Sequence, residues 1–446
     1  MERLIDQAMV YPGPASRRML DELARYVISE PWPFAIDLEN SRGMWLRTVD
    51  GQDLFDWTGF YGSKLLGHNH PALQDPDYLR RLALAAANKV ANPDFLTPQC
   101  LAYYRLIHSL APLCMRNPRL EVYAVNSGAE AVENLMKYLI NLHDQKLART
   151  GQAIGQRRFI YFDQAFHGRT IFALNVTQMS HAPVITRDYH GLVAGNLQVP
   201  FPAANADEPE QAKQQRVDRS LEIVEDCLRR YSHEVVGIVV EPIQGAGGHR
   251  IAPARFFRML SELAHRYEVT LGFDEVQTAG GQTGSIFAID QFDLPHPPHA
   301  VATAKKFGCG VVYMLHPMDD QGVLDSTWGG ALADMVRVVE EFGVVERERL
   351  VEQVPAKARR LVEGLRAVAA ARPGFVSNIR GMGLYQGFSL PRAEDRRRFI
   401  TDALEKQSLL LLGAATTTIR LRPPLSVTEA EIDLLVEKIA RLVAAM

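Results

Sequence analysis

Through the middle of the chain, short apolar runs alternate with segments whose apolar positions recur every three or four residues. The runs are Glu121–Val125, Arg158–Phe162, Val235–Val240, 269–273 and Ala300–Thr303. Their β-branched and aromatic content predicts strands, and their nearly unbroken apolar character predicts strands covered on both faces. After the first run, Asn126-Ser-Gly128 leads into a pattern with Val132, Leu135, Met136 and Leu139 on one stripe. That spacing predicts a helix buried along one side. Strands and helices taking turns in this way predict an α/β fold with a large, mainly parallel sheet.

The ends of the chain carry a different pattern. Residues 357–371 place Leu361, Val362, Leu365 and Val368 on one side of an amphipathic helix, and Gly381-Met-Gly-Leu-Tyr-Gln-Gly387 reads as a strand. A last helix opens on Thr428-Glu-Ala-Glu431, a capping-box pattern, with Ile432, Leu435, Val436, Ile439 and Leu442 on its buried face. The division expected is a large α/β domain over 71–330 and a small α+β domain made by 331–446 together with 1–70.

Composition narrows the function by exclusion. A chain of 446 residues, 47% hydrophobic, is long enough for two domains with a sizeable core. Its 49 basic and 52 acidic residues are dispersed, so no basic stripe is offered to nucleic acid. The cluster at 392–398 mixes both signs and reads as a solvated helix face. Cys100, Cys114, Cys227 and Cys309 are too far apart to suggest a disulfide framework or a zinc site. Neither a signal-peptide core nor a membrane-spanning run is visible, which predicts a cytoplasmic protein.

The chemistry is concentrated at strand ends. A doubly wound sheet binds ligands beyond the carboxyl ends of its strands, which is where Glu241, Asp274 and Lys306 fall. An acid and a lysine on neighbouring strands suit pyridoxal phosphate, whose aldehyde is held by a lysine amine and whose ring nitrogen needs a carboxylate. Gln277 can donate to a ring oxygen, while Val276 and Phe166 can cover the two ring faces. Ser127-Gly128-Ala129, between a strand and a helix, can hold a phosphate on backbone N–H groups. Gln244-Gly-Ala-Gly-Gly248 lacks the spacing of a dinucleotide loop, which argues against a nicotinamide enzyme.

These residues belong to an ordered set: Asn126-Ser-Gly-Ala-Glu-Ala-Val-Glu133, Phe166-His-Gly-Arg169, Glu241-Pro-Ile-Gln-Gly245, Asp274-Glu-Val-Gln-Thr278, Lys306 and Ser326-Thr-Trp-Gly-Gly330. The set resembles that of the class III (ω-amino acid) aminotransferases, fold-type I pyridoxal phosphate enzymes, from about Gly67-His-Asn-His-Pro71 to the last helix. Within the class, Val132-Glu-Asn-Leu-Met-Lys-Tyr138, the Lys305-Lys306 pair and Ile419-Arg-Leu-Arg-Pro-Pro-Leu425 most resemble the L-lysine 6-aminotransferases, with 4-aminobutyrate aminotransferases next.

The resemblance implies roles. Gly128 and Ala129 would hold the cofactor phosphate, Phe166 and Val276 would sandwich the ring, and Asp274 would pair with its nitrogen. Gln277 would reach the ring oxygen. Thr327 would reach the phosphate of a second subunit, implying a homodimer with shared sites. Lys306 would hold the cofactor and act as the base; counting forward from the strand favours it, while counting back from Cys309-Gly310 favours Lys305. Arg169 and Arg420 would bind substrate carboxylates, with Arg422 an alternative expected to face away. Where lysine, ornithine and 4-aminobutyrate enzymes carry a glutamate that masks the second arginine, this chain has Ala246, and Asp325 replaces their asparagine. The implied reaction moves a terminal amine, foremost the ε-amine of L-lysine, to 2-oxoglutarate. Alternatives are another ω-amino acid donor, such as 4-aminobutyrate or ornithine, an aminomutase or racemase on the same fold, or a non-catalytic relative.

Overall fold

The computed structural model describes residues 10–319, apart from 187, 188, 190, 191 and 194, and residues 322–446. At its centre lie seven strands: β1 (Glu121–Val125), β2 (Arg158–Phe162), β3 (Leu197–Val199), β4 (Val235–Val240), β5 (Thr270–Asp274), β6 (Ala300–Thr303) and β7 (Gly310–Met314). They are ordered β1-β7-β6-β5-β4-β2-β3. Every neighbouring pair is parallel except the two that β7 makes, with β6 and β1.

Two of these strands lie outside the predicted set. β3 has only three residues, too few to form a visible run. β7 follows β6 after residues 304–309, a connection too short for a helical crossover, so the chain can only return antiparallel. The strand predicted at 269–273 is displaced by one, making Asp274 the final strand residue.

Helix Gly128–Arg149 packs across this sheet with Val132, Leu135, Met136 and Leu139 fully buried. Each such side chain contributes roughly 1.5–3 kcal/mol. Glycines in the strands admit the helix: a Cβ on Gly272 would lie 2.7 Å from Leu135, and one on Gly237 would lie 3.0 Å from Leu139. Close approach sets the helix N-terminus beside the carboxyl ends of β5 and β6.

The remaining sheets are smaller. Ile36–Arg42, Trp45–Thr48 and Asp53–Asp56 form an antiparallel set extended by Leu409–Leu410, so the two ends of the chain meet in one sheet. The segment predicted as one strand around Gly381 to Gly387 is instead a hairpin, Ser377–Met382 and Tyr385–Ser389, continued by Thr418–Leu421 and Leu412–Ala414. Gly383, at φ +56°, turns the chain against the backbone of Gln282 and Thr283, where a Cβ would lie 2.3 Å from the Gln282 carbonyl. Helix Glu429–Ala445 has both reciprocal bonds of its capping box. Its Ile432, Leu435, Ile439 and Leu442 are buried, whereas Val436 is half-buried over Gly364. Among the described residues, no helix is long and apolar enough to cross a membrane.

Candidate active site

Asp274 pairs in register with Ala302 of β6, so the ends of β5 and β6 open at the same level. Above them starts helix Gly128–Arg149. Ser127 Oγ accepts the Glu130 N–H at 3.3 Å, and the Glu130 carboxylate reaches back to the Asn126 N–H at 2.7 Å. A Cβ on Gly128 would lie 2.8 Å from Val276 and 3.3 Å from Ala304, so glycine is what lets this helix end close on the strand ends. Gly128, Ala129, Phe166, Asp274, Val276 and Gln277 thereby line one cleft, joined by His167, Glu241 and Lys305. A larger cavity of about 720 Å³ lies elsewhere, beside Gly67-His-Asn-His-Pro71 and Thr428, and is not lined by Asp274, Lys305 or Lys306.

The lysine in the cleft is Lys305, not Lys306. β6 ends at Thr303; Ala304 (φ −165°, ψ −140°) departs from strand geometry and Lys305 takes a left-handed φ of +52° as a tight turn begins. Strand counting therefore fails one residue too early. Lys305 Nζ donates to the Tyr61 carbonyl at 3.3 Å. Lys306 does not line the cleft: it is 1% exposed and donates to the carbonyls of Gln277 at 2.7 Å and Gly62 at 3.2 Å. Its stem lies where a Cβ on Gly280 would come within 2.7 Å. A non-glycine residue at positive φ costs on the order of 1 kcal/mol, and such strain clusters at working sites.

Burial and neighbouring charges set the protonation states. Burial, then Arg420, push the Lys305 amine down to about 8, with Asp274 pulling the other way. Lys306 is pushed well below the usual lysine range by burial, by Lys305 and by Arg422. Burial and the neighbouring Asp274 raise the Glu241 carboxyl well above the usual range, which favours its neutral form. Glu241 also accepts the Phe166 N–H at 2.9 Å. Asp274 is oriented from both sides: Oδ1 accepts the Val276 N–H at 3.0 Å and Oδ2 lies 2.8 Å from His167 Nδ1.

The arrangement fits pyridoxal phosphate. Open N–H groups at the start of a long helix suit a phosphate, Phe166 and Val276 supply apolar surface, and a buried, oriented carboxylate suits a ring nitrogen that must keep its proton.

Other expected residues are not among those lining the cleft. Arg169 is exposed, one residue beyond cleft-lining Gly168. Arg420 donates to the Gly245 carbonyl at 3.3 Å, leaves its buried Nε without a partner, and pairs with no carboxylate among the described residues. Arg422, one residue past the end of strand Thr418–Leu421, does not face away. Its guanidinium lies 2.9 Å from His249 Nδ1 and 3.3 Å from the centre of the Tyr385 ring. Burial, then Arg422, keep His249 well below the usual histidine range, so its ring nitrogen can accept. Thr327 is exposed and outside the cleft, on a segment tied down by Asn92 to the Ser326 carbonyl at 2.8 Å and by Asn126 to the Gly330 N–H at 3.3 Å. Asp325 accepts from the Tyr123 hydroxyl.

Two residues at the site escaped the sequence reading. His167 stands inside the Phe166-His-Gly-Arg169 motif, which was a signal; Tyr385, a single aromatic in a glycine-rich segment, carried none.

Comparison with known proteins points to one family. A family model described as aminotransferase class-III matches residues 27–443. The L-lysine-epsilon aminotransferase of Amycolatopsis lactamdurans is 32% identical over 449 residues, 98% of each chain. The mitochondrial 4-aminobutyrate aminotransferase of Mus musculus is 28% identical, covering 93% of this chain and 86% of its own. Among solved structures, the lysine aminotransferase of M. tuberculosis in the internal aldimine form superposes with a TM-score of 0.90 at 30% identity, covering 96% of this chain and 99% of its own.

Proposed function

Because the chain belongs to the class-III aminotransferases, which depend on pyridoxal phosphate, we propose that it transfers the ε-amine of L-lysine to 2-oxoglutarate, releasing a semialdehyde and L-glutamate. The observation that carries the reading is the convergence of Asp274, Gln277 and Lys305 on one cleft beneath a helix N-terminus. When bound, pyridoxal phosphate supplies an aldehyde that takes the donor nitrogen and a protonated ring that withdraws electrons.

The chain's own groups have separable tasks. Gly128 and Ala129 hold the phosphate on N–H groups at the positive end of the helix. Asp274, held by His167 and the Val276 N–H, keeps a proton on the ring nitrogen, and the neutral Glu241 adds no second charge. Gln277 donates to the ring oxygen. Lys305 anchors the cofactor and moves the proton at the carbon bearing the donor amine; an amine brought to about 8 is matched to giving and taking a proton near neutral pH. Arg169 takes the donor's α-carboxylate and Arg420 a carboxylate of 2-oxoglutarate, since guanidinium offers paired donors to such groups. The partnerless Nε of Arg420 and Ala246 beside it support a second cation that is free to meet an anion. Exposed Thr327 supports a working homodimer in which it reaches the phosphate bound in the partner.

The test is a donor panel on purified, cofactor-loaded protein with 2-oxoglutarate. Glutamate formed fastest with lysine is the expected result. Glutamate formed only with 4-aminobutyrate or ornithine would move the donor, and none with any of the three would refute the reading.

A further inference from the structure

We propose that Tyr385 is a positioning residue for Gln277, deciding which end of that amide faces the cleft; the inference rests on the cofactor reading above. A glutamine side chain ends in a donor and an acceptor of nearly equal size, so a half-turn about its last bond exchanges one for the other. Only the donor end can serve a ring oxygen. The Tyr385 hydroxyl lies 2.8 Å from Gln277 Oε1 and donates to it, which leaves the amide N–H groups for the cleft. In the reverse orientation the hydroxyl would have to accept from the amide, and the glutamine oxygen would be turned toward the ring oxygen, acceptor against acceptor.

Both ends of Gln277 are clamped. Its backbone carbonyl receives the Lys306 Nζ at 2.7 Å, and its side-chain oxygen receives Tyr385. Tyr385 is in turn fixed by Arg422, whose guanidinium lies 3.3 Å from the ring centre and bonds to the Gln386 carbonyl at 3.1 Å and His249 Nδ1 at 2.9 Å. Space for the contact is made by Gly245, where a Cβ would fall 2.3 Å from Gln277 Oε1 and 3.1 Å from the Tyr385 hydroxyl. Tyr385 sits on the C-terminal sheet, whereas Asp274 ends the central one. The ring oxygen and the ring nitrogen are therefore governed from two different sheets.

The experiment is a pH titration of the cofactor's visible absorbance in loaded wild-type protein, Tyr385→Phe, Gln277→Ala and the double variant. Phenylalanine keeps the ring beneath Arg422 and removes only the hydroxyl. A neutral hydrogen bond corresponds to about a threefold to tenfold change in an equilibrium constant. Loss of a donor at the ring oxygen tightens proton binding there, so both single variants move the midpoint upward by that factor in proton affinity. The double variant then matches Gln277→Ala alone, because the hydroxyl acts only through that amide. An unchanged midpoint in Tyr385→Phe, with Gln277→Ala shifted, overturns the inference and leaves the cofactor reading standing. Additive shifts in the double variant also overturn it. An unchanged midpoint in Gln277→Ala refutes the assignment of Gln277 to the ring oxygen and the inference with it.

Discussion

Replacing each lysine of the pair separately distinguishes two side chains one position apart, of which only Lys305 lines the cleft. Lys305→Ala removes the amine that lines the cleft with Asp274 and Gln277. A positioned proton carrier accelerates reactions by typically 10²–10⁴-fold, so loss of glutamate formation by about that factor or more is expected, together with loss of covalent cofactor capture. Lys306→Met removes bonds of 2.7 Å and 3.2 Å to the Gln277 and Gly62 carbonyls and keeps an unbranched stem against Gly280. Leaving buried acceptors without a donor costs roughly 1–3 kcal/mol each. Part of that is offset, because Lys306 is strongly destabilised as a cation by burial and by Lys305 and Arg422. The net expectation for Lys306→Met is a measurable loss of denaturant stability with cofactor capture retained. The assay is borohydride reduction of the loaded wild-type protein, chymotryptic digestion, and fragment-ion mass spectrometry across residues 300–313. A cofactor-derived mass on Lys305 is the expected result. The same mass on Lys306, or capture abolished by Lys306→Met and kept by Lys305→Ala, would refute the assignment.

Two further outcomes follow from the electrostatics. The Lys305 amine is brought down to about 8 and must be neutral to capture an aldehyde, so capture of added pyridoxal phosphate by apo-protein should rise about tenfold per pH unit below 8 and level off above it. A stopped-flow profile still rising steeply between pH 9 and 10 would show an ordinary, unperturbed lysine. Ala246→Glu would put a carboxylate one residue from the Gly245 carbonyl that Arg420 already touches. At about 4 Å and an effective dielectric near 20 the gross attraction is roughly 4 kcal/mol, much of it cancelled by desolvation, so KM for 2-oxoglutarate should rise by about tenfold. An unchanged KM would remove Arg420 from acceptor binding.

The readable parts of the chain were those that local spacing determines. Val132, Leu135, Met136 and Leu139 announced a helix with one buried stripe, and all four are fully buried. Thr428 and Glu431 announced a capping box, which formed. Both patterns are completed within a turn or two of helix, where neighbours in sequence are neighbours in space. β3 was too short to produce a pattern, and the hairpin at Gly383 was hidden because its turn is shaped by contact with Gln282 and Thr283, about a hundred residues earlier.

By itself, then, the sequence determined an alternating α/β core, the motif set of its family and which residue types stand at the strand ends. Only the tertiary structure decided where those side chains point. Lys305 rather than Lys306 enters the cleft because the backbone leaves the extended form at Ala304 and turns left-handed at Lys305, a path held by the short return into antiparallel β7. Arg422 and Tyr385 join the site because the C-terminal sheet packs against the Gly245–His249 segment, bringing a hydroxyl to Gln277 across 108 positions of chain. Periodicity reports on contacts a few residues apart; the direction of a single side chain at a strand end is set by packing between distant segments, and no local pattern records it.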